Sequence, residues 1–337
     1  MGQNRNSILK KTSVIITSYN NGEFIEQCVK SVYSSFEQVY EIIVIDDGST
    51  DDTESILNKL MVEIPIMKAF FLVHRGTVVA RREGLKRANG EIITFVDGDD
   101  YIVEDYFGKD NLQQINENAD VIIVKSYYKV FPDGTKDFIT DNVETGDYNG
   151  ESLKIIKNNL NNISPSLWLK FFRKQFIDYY INVVPEDILV SNDMAVSYPA
   201  ILNANSIQVV DSCFYCYRIS FYKKNVDRTD KIKSFLKTYK IINEYIAKDD
   251  EVAHKYRLKM LVRIIPLCKT YGFTKESYIN LSRIGNNPLF VSFINDITYE
   301  EKRKSRYFIE ILFLKYRLFF LLLLINKLSR MWKNRFE

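Results

Sequence analysis

The sequence predicts an α/β protein built on a doubly wound, mostly parallel sheet, extended by helices on its C-terminal side. Three observations predict it. Short β-branched or apolar runs alternate with segments of helical period over the first hundred residues, the order of a parallel sheet with crossover helices. The run Ile92 to Val96 is β-branched and aromatic, as suits a strand buried on both faces, and it ends abruptly in Asp97-Gly98-Asp99-Asp100. A second such run, ending at Ile45, also stops in acid, at Asp46-Asp47. Ligands of open α/β sheets bind outside the carboxyl ends of the strands, where these acids lie.

Each element follows from its own stretch. Lys11 to Ser18 is a β-branched strand, and Tyr19-Asn20-Asn21-Gly22 is turn chemistry. Glu23 to Phe36 places Phe24, Ile25, Cys28, Val32 and Phe36 at helical spacing. Glu41 to Ile45 is the second strand, and Asp52 or Thr53 caps a helix through Leu60. Ile66 to Val73 is a third strand. Thr77 to Asn89 is a helix stopped at Asn89-Gly90, and Glu91 to Val96 is the fourth strand. Beyond Asp100, Tyr106 to Asn116 reads as a helix, and Asp120 to Val130 as a strand that turns at 131–135 into Asp137 to Thr140. Leu153 to Leu160, Ser166 to Tyr180 and Met194 to Leu202 read as helical, Ser206 to Arg218 as strands, and 221–228 as a loop. Thr229 to Thr270 and most of Tyr278 to Glu310 are helical.

Composition narrows the function. The chain has 337 residues, 46% of them hydrophobic, and a formal net charge of +3 that is unevenly placed. Lys302 to Arg335 carries ten Lys and Arg against the single acid Glu310, which leaves 36 bases and 42 acids elsewhere. A mildly acidic body argues against nucleic acid as a partner. Cys213 and Cys216 have CxxC spacing without a second pair or a nearby His, and read as buried strand thiols. The segment MGQNRNSILKKTS holds no apolar secretory core, so a cytoplasmic setting is expected. There is no GxGxxG after the first strand and no GxxxxGK[ST], which disfavours a glycine cradle for phosphates. Clustered carboxylates instead suit a hard divalent cation that carries phosphate oxygens on its other face. An acidic turn without ligand is the plainer alternative.

The stretches VIITSYNNGEFIEQCVKSV, EIIVIDDGSTDDT and GEIITFVDGDDYI, in that order and spacing, resemble the signature segments of family-2 glycosyltransferases with the GT-A fold. The resemblance runs from Lys11 to about Arg218. It implies that Thr17, Tyr19, Asp46 and Asp97 contact a nucleotide, usually uridine, with Tyr19 stacking on the base; Arg81 either faces the nucleotide or is a solvated helix charge. It implies that Asp99, with Asp97, holds Mn²⁺ or Mg²⁺ at the diphosphate, with Asp100 assisting. His74 and Arg82 stand where the family usually has Asn, and Thr17 where Pro is common. SLWLKFFRKQFI resembles the family's acceptor-side segment, so Trp168 is either a sugar platform or a packed core residue; the Tyr-x-Tyr-Arg end of 206–218 resembles its closing segment, which makes Tyr217 and Arg218 acceptor or phosphate candidates. The family's catalytic base is an Asp at a helix start after Glu. Asp193 fits by position, although Asn192 replaces the Glu; Glu186-Asp187 has the right letters but lies too early.

The expectation is therefore an inverting enzyme that moves a sugar from a UDP-sugar to a hydroxyl of a glycan, plausibly lipid-linked, for cell-surface polysaccharide. A sugar- or polyol-phosphate transferase, or a degenerate nucleotide-sugar-binding subunit, are the alternatives. Expected boundaries are 1–105 for the nucleotide-sugar half, 106–222 for the acceptor and catalytic half, 223–300 for a helical extension and 301–337 for a basic apolar tail. The longest apolar run in the tail, Leu318 to Ile325, is too short to span a bilayer. Basic residues flanking Leu and aromatics suit a helix lying on an anionic membrane, here through 306–335 and on the inner face of the cell membrane. An oligomerisation or core helix is the rival reading.

Overall fold

Strands β1 (Thr12–Ser18), β2 (Glu41–Asp46) and β4 (Ile92–Asp97) run parallel side by side, with β3 (Met67–Phe71) parallel on the outer edge of β2. Crossovers through helices α1 (Ile25–Ser35), α2 (Thr53–Glu63) and α3 (Thr77–Arg87) make this possible. The structure, a computed structural model, describes residues 11–35, 39–103, 116–219, 226–246, 251–269 and 274–333. The predicted helix over 106–116, except its last residue, and most of the predicted loop over 221–228 lie outside the described residues.

Those residues form two compact units, one from 1–186 with 193–224 and the other from 187–192 with 225–337. The first unit is the sheet. β1 and β2 are buried along their whole length, as strands covered by helices on both faces must be. Beyond β4 the sheet becomes mixed, in the order β4, β9 (Lys170–Arg173), β6 (Val121–Val130), β10 (Ser206–Arg218) and β5 (Tyr101–Ile102). β7 (Lys136–Thr140) is the predicted hairpin partner of β6, and β8 (Gly146–Asn149) pairs with β10. α4 (Leu153–Asn158), α5 (Lys174–Asn182) and α6 (Asn192–Asn203) complete the unit; the sequence reading placed a helix at each of these.

One expectation is corrected. The stretch 166–180 is not a single helix. It makes a helical turn at Leu167–Leu169, then β9, antiparallel to both β4 and β6, and only then α5. Phe171 and Phe172 are consecutive and both buried, so they face opposite sides of the sheet. A short run apolar on both faces fits a central strand as well as a buried helix, and periodicity alone does not separate the two.

The second unit is helical: α7 (Arg228–Asn243), α8 (Glu251–Lys269), α9 (Lys275–Gly285), α10 (Pro288–Asp296), α11 (Tyr299–Lys304), α12 (Phe308–Lys315) and α13 (Phe319–Lys333). Tyr239, Tyr256 and Phe293 pack in its core, and buried Glu301 accepts from Arg257 Nε at 2.9 Å. The predicted tail helix is broken at Arg317, whose φ is +59°. Ile311, Leu314, Phe319, Leu322 and Leu323 turn inward. Among the described residues no helix is long and apolar enough to cross a membrane.

The inserted strand gives a direct check. Phe172→Ala, which empties a fully buried ring site between β4 and β6, should cost about 3–5 kcal/mol in chemical denaturation. A surface-like cost below about 1 kcal/mol would mean that β9 is not a central strand.

Candidate active site

The strand register assembles the acids. Ser18 lies opposite Asp46 and Thr17 opposite Asp97, so the ends of β2, β1 and β4 bring Asp46, Thr17 and Asp97 into a row staggered by one residue. The loops beyond are stitched together. Asp47 N–H donates to Ser18 O at 2.8 Å, Asn20 N–H to Ser49 Oγ at 2.8 Å and Gly22 N–H to Asp51 Oδ2 at 2.9 Å. Gly48, at φ +76°, permits the turn after β2, and a Cβ there would stand 2.8 Å from the His74 nitrogen. Asp46 is buried and accepts from Ser49 through both the backbone N–H and the hydroxyl.

Buried Asp47 organises the opposite wall. It accepts from Arg75 N–H at 2.9 Å and Gly76 N–H at 2.8 Å, and lies 2.9 Å from His74 Nδ1. The His74 ring is thereby laid on Tyr19, with centroids 4.1 Å apart and planes 21° from parallel. Half-buried Tyr19 thus stands at the rim of the row with an aromatic ring already on one face.

The DGDD turn splits its acids. Gly98 N–H donates to Thr17 O at 2.8 Å, and a Cβ at Gly98 would come within 2.9 Å of that same backbone oxygen, so a larger residue would force the turn to shift. Asp100 points inward and is fully buried. It accepts from Tyr215 Oη at 2.7 Å and from Arg218 N–H at 2.7 Å. Burial and the charges of Asp99 and Asp97 push its carboxyl well above the usual range, against the pull of those two donors. Arg218 braces the turn: it donates to Asp99 O at 2.6 Å and to Gln27, and lies over the rings of Phe24 and Tyr101. Trp168 is 5% exposed and stacks on Tyr215 at 4.1 Å between centroids, which is the packed-core arrangement of the two left open.

The centre of the site is Arg81, on α3. It is only 5% exposed, not a solvated helix charge, and it bridges two acids far apart in sequence. Nη1 donates to Asp193 Oδ1 at 2.5 Å and Nη2 to Asp97 Oδ1 at 3.3 Å. Burial works against the guanidinium charge, but Asp193 and Asp97 outweigh it and hold its pKa above the ordinary value. Asp193 stands in the first turn of α6, and its other oxygen accepts from Leu167 N–H at 3.3 Å. Its competitor pair lies at the surface: Glu186 pairs with Arg75 and Arg82, and Asp187 pairs with Lys237. The bridge by Arg81 and the contact from Leu167 could not be read from the sequence, because each joins residues remote along the chain.

One guanidinium serves several carboxylates here. Burial pushes Asp97 up to about 6; Arg81 opposes this, and the charges of Asp193 and Asp99 add to it. The donors are all oxygen, which fits a hard divalent ion. Among the described residues no three His, Cys, Asp or Glu side chains converge as a ready-made cage. Ions of the Mg²⁺ type use one or two carboxylates plus substrate phosphates, so Asp99 and Asp97 are a sufficient protein contribution.

Comparison with known proteins adds the lineage. Residues 13–178 match the family model described as Glycosyl transferase family 2. The chain is 32% identical over 117 residues to the glycosyltransferase GlyG of Streptococcus pneumoniae, covering 34% of this chain and 38% of that one. It is 30% identical over 212 residues to an uncharacterised glycosyltransferase of Rickettsia conorii, covering 62% and 33%. The chain thus spans little more than a third of the length of these relatives. Crystal structures of S. aureus TarS 1–349 superpose on 95% of this chain. The UDP complex has a TM-score of 0.68 at 24% identity over 91% of that chain, and the UDP-GlcNAc complex 0.70 at 23% over 92%. At that identity the likeness is one of fold.

The Asp97 pKa sets a pH dependence. Its folded value, about 6, lies above the ordinary 3.8, so its ionisation opposes folding. Its contribution is fully present below about pH 4 and is lost as pH rises through 6. Asp97→Asn should therefore flatten the stability profile between pH 4 and 6, read from denaturant midpoints, whatever the loss of one Arg81 partner does to its overall level. An unchanged profile would show that Asp97 is not under this strain.

Proposed function

Residues 13–178 are a family-2 glycosyltransferase domain, and from that premise we propose that the chain moves a sugar from a UDP-sugar to an acceptor hydroxyl with inversion at the anomeric carbon. The observation that carries this reading is the Arg81 bridge, which sets Asp193 beside the DGD turn in one half-buried cluster. Tyr19, Thr17 and Asp46 line the uridine end at the tips of β1 and β2, and Asp97 and Asp99 lie at the diphosphate. Asp99 and Asp97 would hold a divalent cation there, which would neutralise the leaving diphosphate.

Asp193 performs the proton step. Its carboxylate takes the proton of the acceptor hydroxyl, whose oxygen bonds to the anomeric carbon as the bond to the diphosphate oxygen breaks and UDP departs. One displacement inverts the centre without an enzyme nucleophile. Arg81 occupies Oδ1 and Leu167 N–H lies at Oδ2, so the carboxylate is held from two sides before substrate arrives. Arg81 also carries a positive charge to the edge of the diphosphate position, where charge develops during transfer.

The acceptor we propose is a glycan on a lipid carrier, in surface polysaccharide synthesis, with the enzyme peripheral on the inner face of the cell membrane. The second unit supports this. Ile309, Tyr316, Leu318, Phe320, Leu321 and Ile325 are exposed on α12, α13 and the bend between them. Lys315, Arg317 and Lys327 are exposed among them. Apolar side chains interleaved with bases match an anionic lipid interface.

Three experiments decide these points. Calorimetric titration with UDP should show binding that needs Mn²⁺ or Mg²⁺ and is lost in Asp99→Ala. Asp193→Asn should keep that binding while transfer from the UDP-sugar falls about 10²–10⁴-fold; retained turnover removes Asp193 from its role. In flotation with phosphatidylglycerol vesicles, changing Lys315, Arg317 and Lys327 to Glu should weaken binding roughly tenfold or more. Unaltered flotation together with a change of oligomeric state would assign this face to a second copy instead.

A further inference from the structure

Lys170, at the start of β9, is fully buried, and no step above uses it. A buried ammonium is tolerated only where its donors are matched. Here Nζ donates to the carbonyl oxygens of Ser164 at 2.6 Å and Ser166 at 2.7 Å. The same turn is held at its other groups. Tyr198 Oη donates to Ile163 O at 3.0 Å, Ser197 Oγ to Pro165 O at 2.7 Å, and Ser164 N–H to Asp141 Oδ2 at 2.6 Å. Thr94 Oγ1 in turn donates to Lys170 O at 2.9 Å and fixes the lysine's own backbone to β4.

The geometry of one peptide plane links this clamp to the candidate base. Ser166 C=O and Leu167 N–H belong to the same trans peptide group, so they point in opposite directions. Drawing the carbonyl toward Lys170 Nζ turns the N–H the other way, and there it meets Asp193 Oδ2 at 3.3 Å. We propose that Lys170 is a positioning residue for Asp193: it holds the Ser166 carbonyl, thereby aims the Leu167 N–H, and so keeps the Asp193 carboxylate turned to the acceptor hydroxyl. This rests on the reading of Asp193 as the base. An apolar residue of similar length would fill the space but leave both carbonyls unpaired. A second role follows from charge. Asp141 and Asp193 are the acids that face Lys170, and they oppose a burial penalty that pushes its pKa down to about 8. Above that pH the ammonium becomes an amine and its bonds to the two carbonyls lose their charge assistance.

The test is amide hydrogen exchange at Leu167 in the intact chain, followed from pH 6.5 to 9.5 with the intrinsic base-catalysed rate divided out. Protection should fall at least threefold across that range while the amides of β1 stay level. Lys170→Met should lower Leu167 protection at least tenfold at pH 7 and abolish the pH step. Asp193→Ala should lower it in the natural background but add less than twofold to Lys170→Met, since both act through one N–H. A level profile in the natural chain, or additive variants, overturns the proposal; if Lys170→Met does not fold, the natural chain's profile decides alone. Calorimetry with UDP separates the two readings: Lys170→Met should bind it as the natural chain does. Failure of the natural chain to bind UDP would remove the donor-site reading and leave the exchange result standing.

Discussion

A single buried guanidinium holds the candidate site together. Arg81 joins Asp97, at the end of a central strand, to Asp193, at the start of a helix 112 residues away. Burying charge is expensive, and breaking a buried pair by removing one partner costs about 3–5 kcal/mol, because the survivor is left uncompensated. Asp97 and Asp193 therefore cannot be considered separately from α3. The position of α3 depends in turn on close packing, since a Cβ on Gly84 would meet the Ile15 side chain of β1 at 2.4 Å. The strand register places the acids, and Arg81 allows them to stay there.

The DGDD turn shows how environment gives adjacent identical residues different work. Asp100 faces the core, where Tyr215 and the Arg218 backbone use both its oxygens. Asp99 remains half-exposed, while Arg218 takes only its backbone carbonyl. Four residues of sequence thus contain a structural brace and a proposed ligand. The brace is aromatic as well as ionic: Trp168 lies behind Tyr215, and Arg218 is stacked between Phe24 and Tyr101. This explains why a Trp and an Arg that attract attention as acceptor contacts are spent largely on holding the turn.

Much of this was legible along the chain, and the limit is a physical one. The first four strands, the acids at their ends and the helix start at Asp193 announce themselves locally, through β-branched runs, turn residues and an N-terminal acid. Strand β9 does not, because LWLKFF is apolar on every side and both a helix and a central strand can use that. Lys170 in the same run was the available signal: a lone base among five apolar or aromatic neighbours needs buried acceptors, and backbone carbonyls supply them. Which carbonyls, and what lies across the peptide plane, is long-range information. The same holds for Arg81, whose two partners are 16 and 112 residues away.

The departures from the family's usual letters are absorbed without loss of charge at the centre. Arg82, where Asn is usual, donates to the carbonyls of Ile181, Asn182 and Val184 and so ties down the exposed end of α5. His74, also in place of Asn, is held by Asp47 and laid on Tyr19, which adds an aromatic surface beside the tip of β1. Asn192 leaves Asp193 without an acidic neighbour in the first turn of α6. The first turn of α6 thus carries a single negative charge, and that charge is the one Arg81 holds.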